Sequence, residues 1–452
     1  MNVSIRDWLI VRNANLRRLV LGRLVTNAGD SVYAIAAMWL VYGLTGSSAY
    51  TGLAGFLTMA PQALQVFAGP LVDRWSLRRI LVGTQLVQAV LVLTIPVAEF
   101  LSLLSVWVVL SVMPLVSLLN QLVYPAQSAA VPRIVDGDDL VAANSLLSLS
   151  YQGVDMAFNA LAGVLVAATG AVTLYLVDSV SFAVAAALFV RLYIPAASED
   201  DNAGADAGGN SEVTTETDTD TDSPDTPSAV ADGGEDDSTA DADADETGYL
   251  DDLRAGLGFI RGSILLPLLV TGLVANGVFG GAWATMPAFA DARGGPETYG
   301  LLMAAIAGGM LVGAAVASVF DDLPYGALSI ALFAVSGSLW LGAVTISWLP
   351  GTVALLALAT VPFGISNVVT MAMIQTLVPE DLLGRVMAAV GSLSTLMMPV
   401  GSALGGVLGD AVGAGVVVGA GGVGLLFVAA YVLAIPSLRR LPAIDEIETL
   451  AA

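Results

Sequence analysis

GLAGFLTMAPQALQVFAGPLVD, residues 52–73, aligns without gaps on GLLMAAIAGGMLVGAAVASVFD, residues 300–321. Each is a run of about 20 mostly apolar residues, the length that crosses a hydrocarbon core of roughly 30 Å as a helix. Each ends in an aspartate, Asp73 or Asp321. A second pair shows the same relation: VDGDDL, 135–140, matches VPEDLL, 378–383, and that register brings Ala162-Gly163-Val164-Leu165 onto Gly405-Gly406-Val407-Leu408. The offsets, 248 and 243 residues, differ by a small insertion or deletion. Apolar helices resemble one another by chance, but loop carboxylates at matched positions point to a chain built as two homologous halves.

Outward from these segments, ten more stretches of similar length complete a set of twelve, each bounded by turn residues or charge. The first six are Leu19–Leu44, Tyr50–Val72, Ile80–Ala98, Leu101–Val123, Asn144–Ala168 and Ala171–Tyr193. The second six are Ile264–Ala290, Tyr299–Phe320, Ala327–Trp348, Thr352–Leu377, Val386–Gly409 and Val412–Ile435. With 56% hydrophobic and only 12% charged residues, such a chain needs lipid as its solvent. The expected fold is an all-α membrane protein of twelve transmembrane helices in two pseudo-symmetric six-helix bundles. Nothing at the start reads as a cleavable signal, because Arg6, Arg12, Arg17 and Arg18 precede a span that itself contains Arg23, Asn27 and Asp30.

Basic residues set the orientation, since positive charge is retained on the cytoplasmic side during insertion. All sixteen are arginine. With the N-terminus inside, fifteen fall on the inner side and only Arg293 lies outside. Both termini are therefore expected in the cytoplasm, and the protein in the cell membrane as a multi-pass chain.

The net charge of −23 is concentrated in one place: residues Glu199 to Asp252 hold twenty acidic residues and no basic one. Elsewhere 19 acidic residues face 16 basic ones. The acidic stretch has almost no large apolar residue and cannot bury enough surface to offset its ordering entropy. The expected organisation is a first bundle over 1–195, a disordered cytoplasmic linker over 196–252 and a second bundle over 253–452. An acidic surface with arginine and no lysine also resembles salt-adapted, halophile compositions.

Absences narrow the chemistry. The chain has no His, Cys or Lys. A GxxxxGK[ST] phosphate loop, His or Cys zinc sites, Ser-His-Asp triads, Cys nucleophiles and Schiff-base lysines are all excluded. No paired-carboxylate constellation stands out. The chain is read as a non-enzyme, with no cofactor, no metal site and no nucleic-acid partner.

Gly69-Pro70-Leu71-Val72-Asp73-Arg74-Trp75-Ser76-Leu77-Arg78-Arg79 resembles the loop between helices 2 and 3 of the major facilitator superfamily. GRLVTNAGDSVYAIAAMWLVYGLTGS (22–47), PAQSAAVPRIV (125–135), DDLVAANSL (138–146), YLVDSVSF (175–182) and VPEDLLGRVMA (378–388) resemble its efflux branch, which contains enterobactin exporters and macrolide efflux proteins. The resemblance covers nearly all of the chain outside the linker. It implies a secondary transporter working by alternating access. The antiporter signature of helix 5 is incomplete, because Gly153-Val154-Asp155 lacks the expected proline, whereas helix 11 keeps Pro399-Val400-Gly401 and Gly405-Gly406.

In that family the carboxylate of the loop faces the start of helix 11, where a helix dipole favours it by about 0.3–1 kcal/mol. The start is expected here near Gly384-Arg385. Gly69, which permits close backbone approach, would then form a cytoplasmic latch with Asp73, Arg74, Arg78 and Arg385, closing the halves in the outward-facing state. The competing reading of these arginines, and of Arg79 in particular, is a topology anchor.

A carboxylate inside the membrane is costly and marks candidate proton carriers. Asp30 is first, mid-helix with Asn27 one turn before it on a helix that lines the path in this fold. Asp155 follows, with Asn159 at i+4 on the same face. Asp178 matches a recurrent family position and has structural hydrogen bonding as its competing role. Trp39, Gln62, Gln65, Asn120, Gln121, Asn276, Trp283 and Asn367 are further candidates to face a solute.

The expected activity is export of a small lipophilic or amphipathic solute in exchange for protons or another coupling ion. The partners are then that small-molecule substrate, the ion and the lipid bilayer, and the protein is expected to be a monomer. Uptake by the same fold and a non-transporting membrane sensor or scaffold are the alternatives.

Overall fold

A computed structural model describes residues 9–62, 75–195 and 258–447. The acidic linker expected over 196–252 lies outside them, as do Gly69, Asp73, Arg74 and Gln65.

Among the described residues every regular element is helical. The first half comprises α1 (Ala14–Thr45), α2 (Ser48–Met59), α3 (Leu77–Phe100), α4 (Val106–Ile134), α5 and α6 (Ala171–Val190). Helix α5 is assembled from Leu140–Ser148, a π-helical turn Leu149–Gly153 and Val154–Thr169. The second half comprises α7 (Leu265–Asp291), α8 (Pro296–Val316), α9 (Tyr325–Thr345), α10 (Leu349–Leu377), α11 (Glu380–Val412) and α12 (Ala414–Ala434). Ten helices are long and apolar enough to span a membrane within the described residues. The other two are α2, whose expected inner half runs beyond the described residues, and α5, divided by its π turn. The result is two six-helix bundles, as the hydropathy pattern and the repeat lead one to expect.

The turns carry the repeat into the backbone. Gly170 joins α5 to α6 as a single residue at φ 79°, and Gly413 joins α11 to α12 at φ 97°. Their spacing is the same 243 residues that relates the two sequence halves. A left-handed backbone reverses the chain without a longer loop, and only glycine adopts it without a steric cost.

The two boundaries that depart most from the hydropathy reading are the end of α4 and the start of α11. Helix α4 continues to Ile134 rather than Val123, through Pro125 and Pro132. Its extension is not lipid-facing: Ala126, Ala130 and Val131 are buried in a core with Leu16, Leu19, Leu77 and Leu81 at the inner ends of α1 and α3. A membrane-length window stops at polar residues, whereas packing between helices does not. Helix α11 starts at Glu380, not near Gly384, because Pro379 fixes the extended turn before it. Arg385 therefore lies in the second turn, where it is exposed.

Most helices are apolar around their whole circumference, with large side chains such as Val90, Val97, Val180 and Val184 exposed where lipid would lie. The interior holds large apolar side chains too, Phe182, Phe189, Phe289 and Tyr299 among them, together with small and polar groups. Gly29 lets Asp178 and Ser181 of α6 approach α1, since a methyl group there would overlap both side chains.

Candidate functional site

A cavity of about 860 Å³ lies on the inner face of the first bundle. Its walls are α1, α2, α4 and α5, and only Trp283 of α7 and Met398 of α11 come from the second half. Val131 and Asn144 carry it to the inner ends of α4 and α5, while Met38 and Trp283 bound it toward the outer side.

Helix α1 supplies the ionisable groups. Arg23, Asn27, Asp30 and Ala34 recur at i, i+4, i+7 and i+11, one helical face, and all line the cavity. Asp30 is half-buried and accepts from Asn120 Nδ2 of α4 at 3.3 Å. Asn27 is buried and donates to the backbone oxygen of Ser150 at 3.0 Å. That carbonyl lies in the π turn of α5, where the regular helical ladder is interrupted, so the irregularity gives α1 a fixing point. Arg23 is 7% exposed, and its Nη1 has no hydrogen-bond partner among the described residues.

Of the sequence candidates, Asp30, Asn27, Asn120, Gln121, Gln62 and Trp283 converge on this cavity. Asp178 does not line it. It is fully buried, with one oxygen accepting from Ser181 Oγ at 3.2 Å and the other without a partner among the described residues. Asp155 and Asn159 fall on the third segment of α5, in side chains outside the described set. Asn276 bonds back to Gly272 O at 3.0 Å, and Asn367 is exposed. Arg78 donates to Val190 O at the inner end of α6, a contact within the first half. In the sequence Arg23 enters through the orientation, as one of the arginines on the inner side. Its spacing from Asn27 and Asp30 was the signal that could have placed it in the cavity.

The two halves meet at their outer ends. Asp410, near the end of α11, accepts from the backbone N–H of Ser48 at 2.7 Å and of Ala49 at 3.2 Å, and from the Ser47 hydroxyl. The N-terminus of α2 is thus capped from the opposite half. Below it, Thr51 Oγ1 donates to Ala284 O at 2.5 Å and Ser402 Oγ to Gly52 O at 3.2 Å. Trp39 stacks on Tyr299 with centroids 5.3 Å apart, and Tyr299 donates to Ile35 O at 3.4 Å. Glycine makes the approach possible: a methyl group on Gly52 would sit 2.5 Å from Ser402 O and 2.8 Å from the Cα of Gly406. Outside the spans, Arg293 stacks 3.6 Å over Phe289 and donates to Val344 O at 3.1 Å. Partial burial holds its pKa below the usual arginine value.

A family model described as Major Facilitator Superfamily matches residues 19–398. The "uncharacterized MFS-type transporter YvqJ" of Bacillus subtilis (strain 168) is 26% identical over 442 residues, covering 94% of this chain and 92% of that protein. A second protein of that strain, YfiS, is 30% identical over 186 residues, or 38% of this chain and 44% of its own length. Among solved structures, the fold is similar to a bacterial homologue of the human lysosomal transporter Spinster in an inward-facing, occupied conformation, with TM-score 0.64, 12% identity, and 96% and 98% of the two chains covered. It is also similar to a bacterial homologue of the iron transporter ferroportin in an inward-facing state, with TM-score 0.61, 15% identity, and 93% and 98% covered.

Proposed function

The chain belongs to the Major Facilitator Superfamily, and on that premise we propose that this multi-pass plasma-membrane transporter exports a small amphipathic solute in exchange for protons. One observation carries the proton-linked part: Asp30 is a carboxylate placed halfway along a membrane helix, in contact with a cavity wide enough for a drug-sized solute. The efflux direction is supported by the resemblance of residues 22–47, 125–135 and 378–388 to the exporter branch.

In the cycle we propose, the arrangement described above is the inward-facing state. The outer ends are held by Asp410, Thr51 and Ser402, and a solute reaches Asp30 from the cytoplasm. A proton on Asp30 and the solute compete for the same carboxylate, so each half-turn of the cycle carries one or the other. The Asn120 amide can donate to Asp30 when it is ionised, which steadies the side chain without locking its protonation. On the outward half-turn the outer contacts break, and the inner ends close through Asp73, Arg74, Arg78 and the α11 segment around Arg385. Arg78, now on Val190 O, would then exchange that carbonyl for its partner across the halves.

The test uses purified protein in liposomes with a pH-sensitive dye inside and a panel of lipophilic and amphipathic solutes. Solute-dependent proton flux that is lost in Asp30→Asn supports the reading. Solute flux with no proton movement, indifferent to Asp30→Asn, removes the coupling mechanism. The sign of proton movement against solute movement separates exchange from uptake by symport. Deleting most of 199–252 tests the sensor alternative, since a transporter retains flux without that segment.

A further inference from the structure

An amphipathic solute can carry either charge, both or none, and the cavity wall distinguishes these. A guanidinium in a membrane-embedded cavity is expensive unless something answers its charge and its fixed fork of donors. Arg23 is more than nine-tenths buried, lines the cavity and has an unpartnered Nη1 among the described residues. On the facing wall, Gln127 of α4 is also buried and lines the cavity, with its Oε1 unpartnered in the same sense. Asp30 lies seven residues from Arg23 on the same face, about 10 Å along the helix axis. A cation and a carboxylate thus stand two turns apart, with the amide of Asn27 between them.

From this juxtaposition we infer that the transported solute is zwitterionic, its acidic group docking on Arg23 and its ammonium group on Asp30. The reading rests on the proton-linked function above and deepens it. A dipolar solute leaves the loaded cavity neutral, because each of its ends meets an opposite charge. A solute bearing only an acid would bring no counter-charge to Asp30, which Asn120 already holds, and one bearing only an amine would leave Arg23 Nη1 unmet. The ammonium end also explains competition with the proton, since both occupy the Asp30 carboxylate, while Arg23 keeps its charge throughout. The unpaired Gln127 oxygen offers a further acceptor for N–H groups of the solute.

The experiment uses the full chain in nanodiscs and straight-chain ω-amino acids from aminobutyrate to aminododecanoate. Each is compared with its methyl ester, which keeps only the cation, and its N-acetyl derivative, which keeps only the anion. Affinity is read from the shift in melting temperature. The parent compounds of middle length should bind roughly tenfold or more tightly than either derivative, as two charge-assisted contacts require. Arg23→Gln should erase the preference for parent over ester, and Asp30→Asn the preference for parent over N-acetyl. Arg23→Lys should preserve the first preference, which guards against a variant that merely folds poorly. Esters binding as well as their parents, a preference that survives Arg23→Gln, or silence of the whole series at millimolar concentration would each overturn the inference. Proton flux in the liposome assay that still depends on Asp30 while charge selectivity is absent sinks this inference alone. Loss of the Asp30 dependence removes the proposed function beneath it.

Discussion

Asp410 is predicted to hold the outer side closed, and Asp410→Ala to open it. The helix α2 begins after Ser47, whose own side chain makes no capping bond. The first N–H groups of that helix are instead satisfied by a carboxylate from α11, through Ser48 N at 2.7 Å and Ala49 N at 3.2 Å. This cap exists only while the two halves touch. In an outward-open state both partners return to water, so the interaction acts on the conformational equilibrium and not on folding of either half.

A helix cap contributes about 1 kcal/mol, with a range of roughly 0.5–2, and a carboxylate at the dipole's positive end adds a few tenths more. Removing it should therefore shift the ratio of closed to open outer sides by roughly 4–50-fold. Asp410→Asn keeps an acceptor oxygen without the charge and should fall between wild type and alanine. Because Asp410 is exposed, high salt should weaken the wild-type bias as well. The chain contains no cysteine, so labels can be placed without removing native thiols. Spin labels at Leu101→Cys and Ser347→Cys report the outer loops, and a second pair at Val141→Cys and Val319→Cys reports the inner ends. The expected result is a longer outer distance in Asp410→Ala together with a shorter inner one. Distance distributions identical to wild type at both pairs would refute the argument.

Gly52→Val should block outer closure, because its side chain would meet Ser402 O and the Cα of Gly406 at 2.5–2.8 Å; transport should fall by at least roughly tenfold at unchanged expression, with the outer label pair held apart. Asn27→Ala should free the Ser150 carbonyl and cost about 1–2 kcal/mol, visible as a melting point lowered by a few degrees; an unchanged melting point would show that the tie between α1 and α5 is idle. Asp178→Asn should retain proton-linked flux, since Asp178 is sealed off from the cavity against Ser181 and Gly29. A loss as deep as that of Asp30→Asn would return Asp178 to the coupling path.

Legible in the sequence by itself were the all-helical membrane fold, the places of the helices among the described residues and the matching of the two halves. Span length is a local property, set by how many apolar residues a hydrocarbon core requires, and Gly170 and Gly413 mark equivalent turns because the two halves share a register. Asp30 and Asn27 were legible for the same reason, as polar residues inside an apolar run. The faces of the helices were not legible. Lipid is as apolar as a protein interior, so hydropathy does not separate a side that meets lipid from one that meets another helix. Only the tertiary structure shows that Pro125 and Pro132 lie within a continuous α4, that Arg23 faces the cavity with Asp30, and that Asp410 reaches across 362 residues of sequence to cap α2. Each depends on which helix packs beside which, and that is decided by close fits such as Gly52 against Gly406, not by the composition of either segment alone.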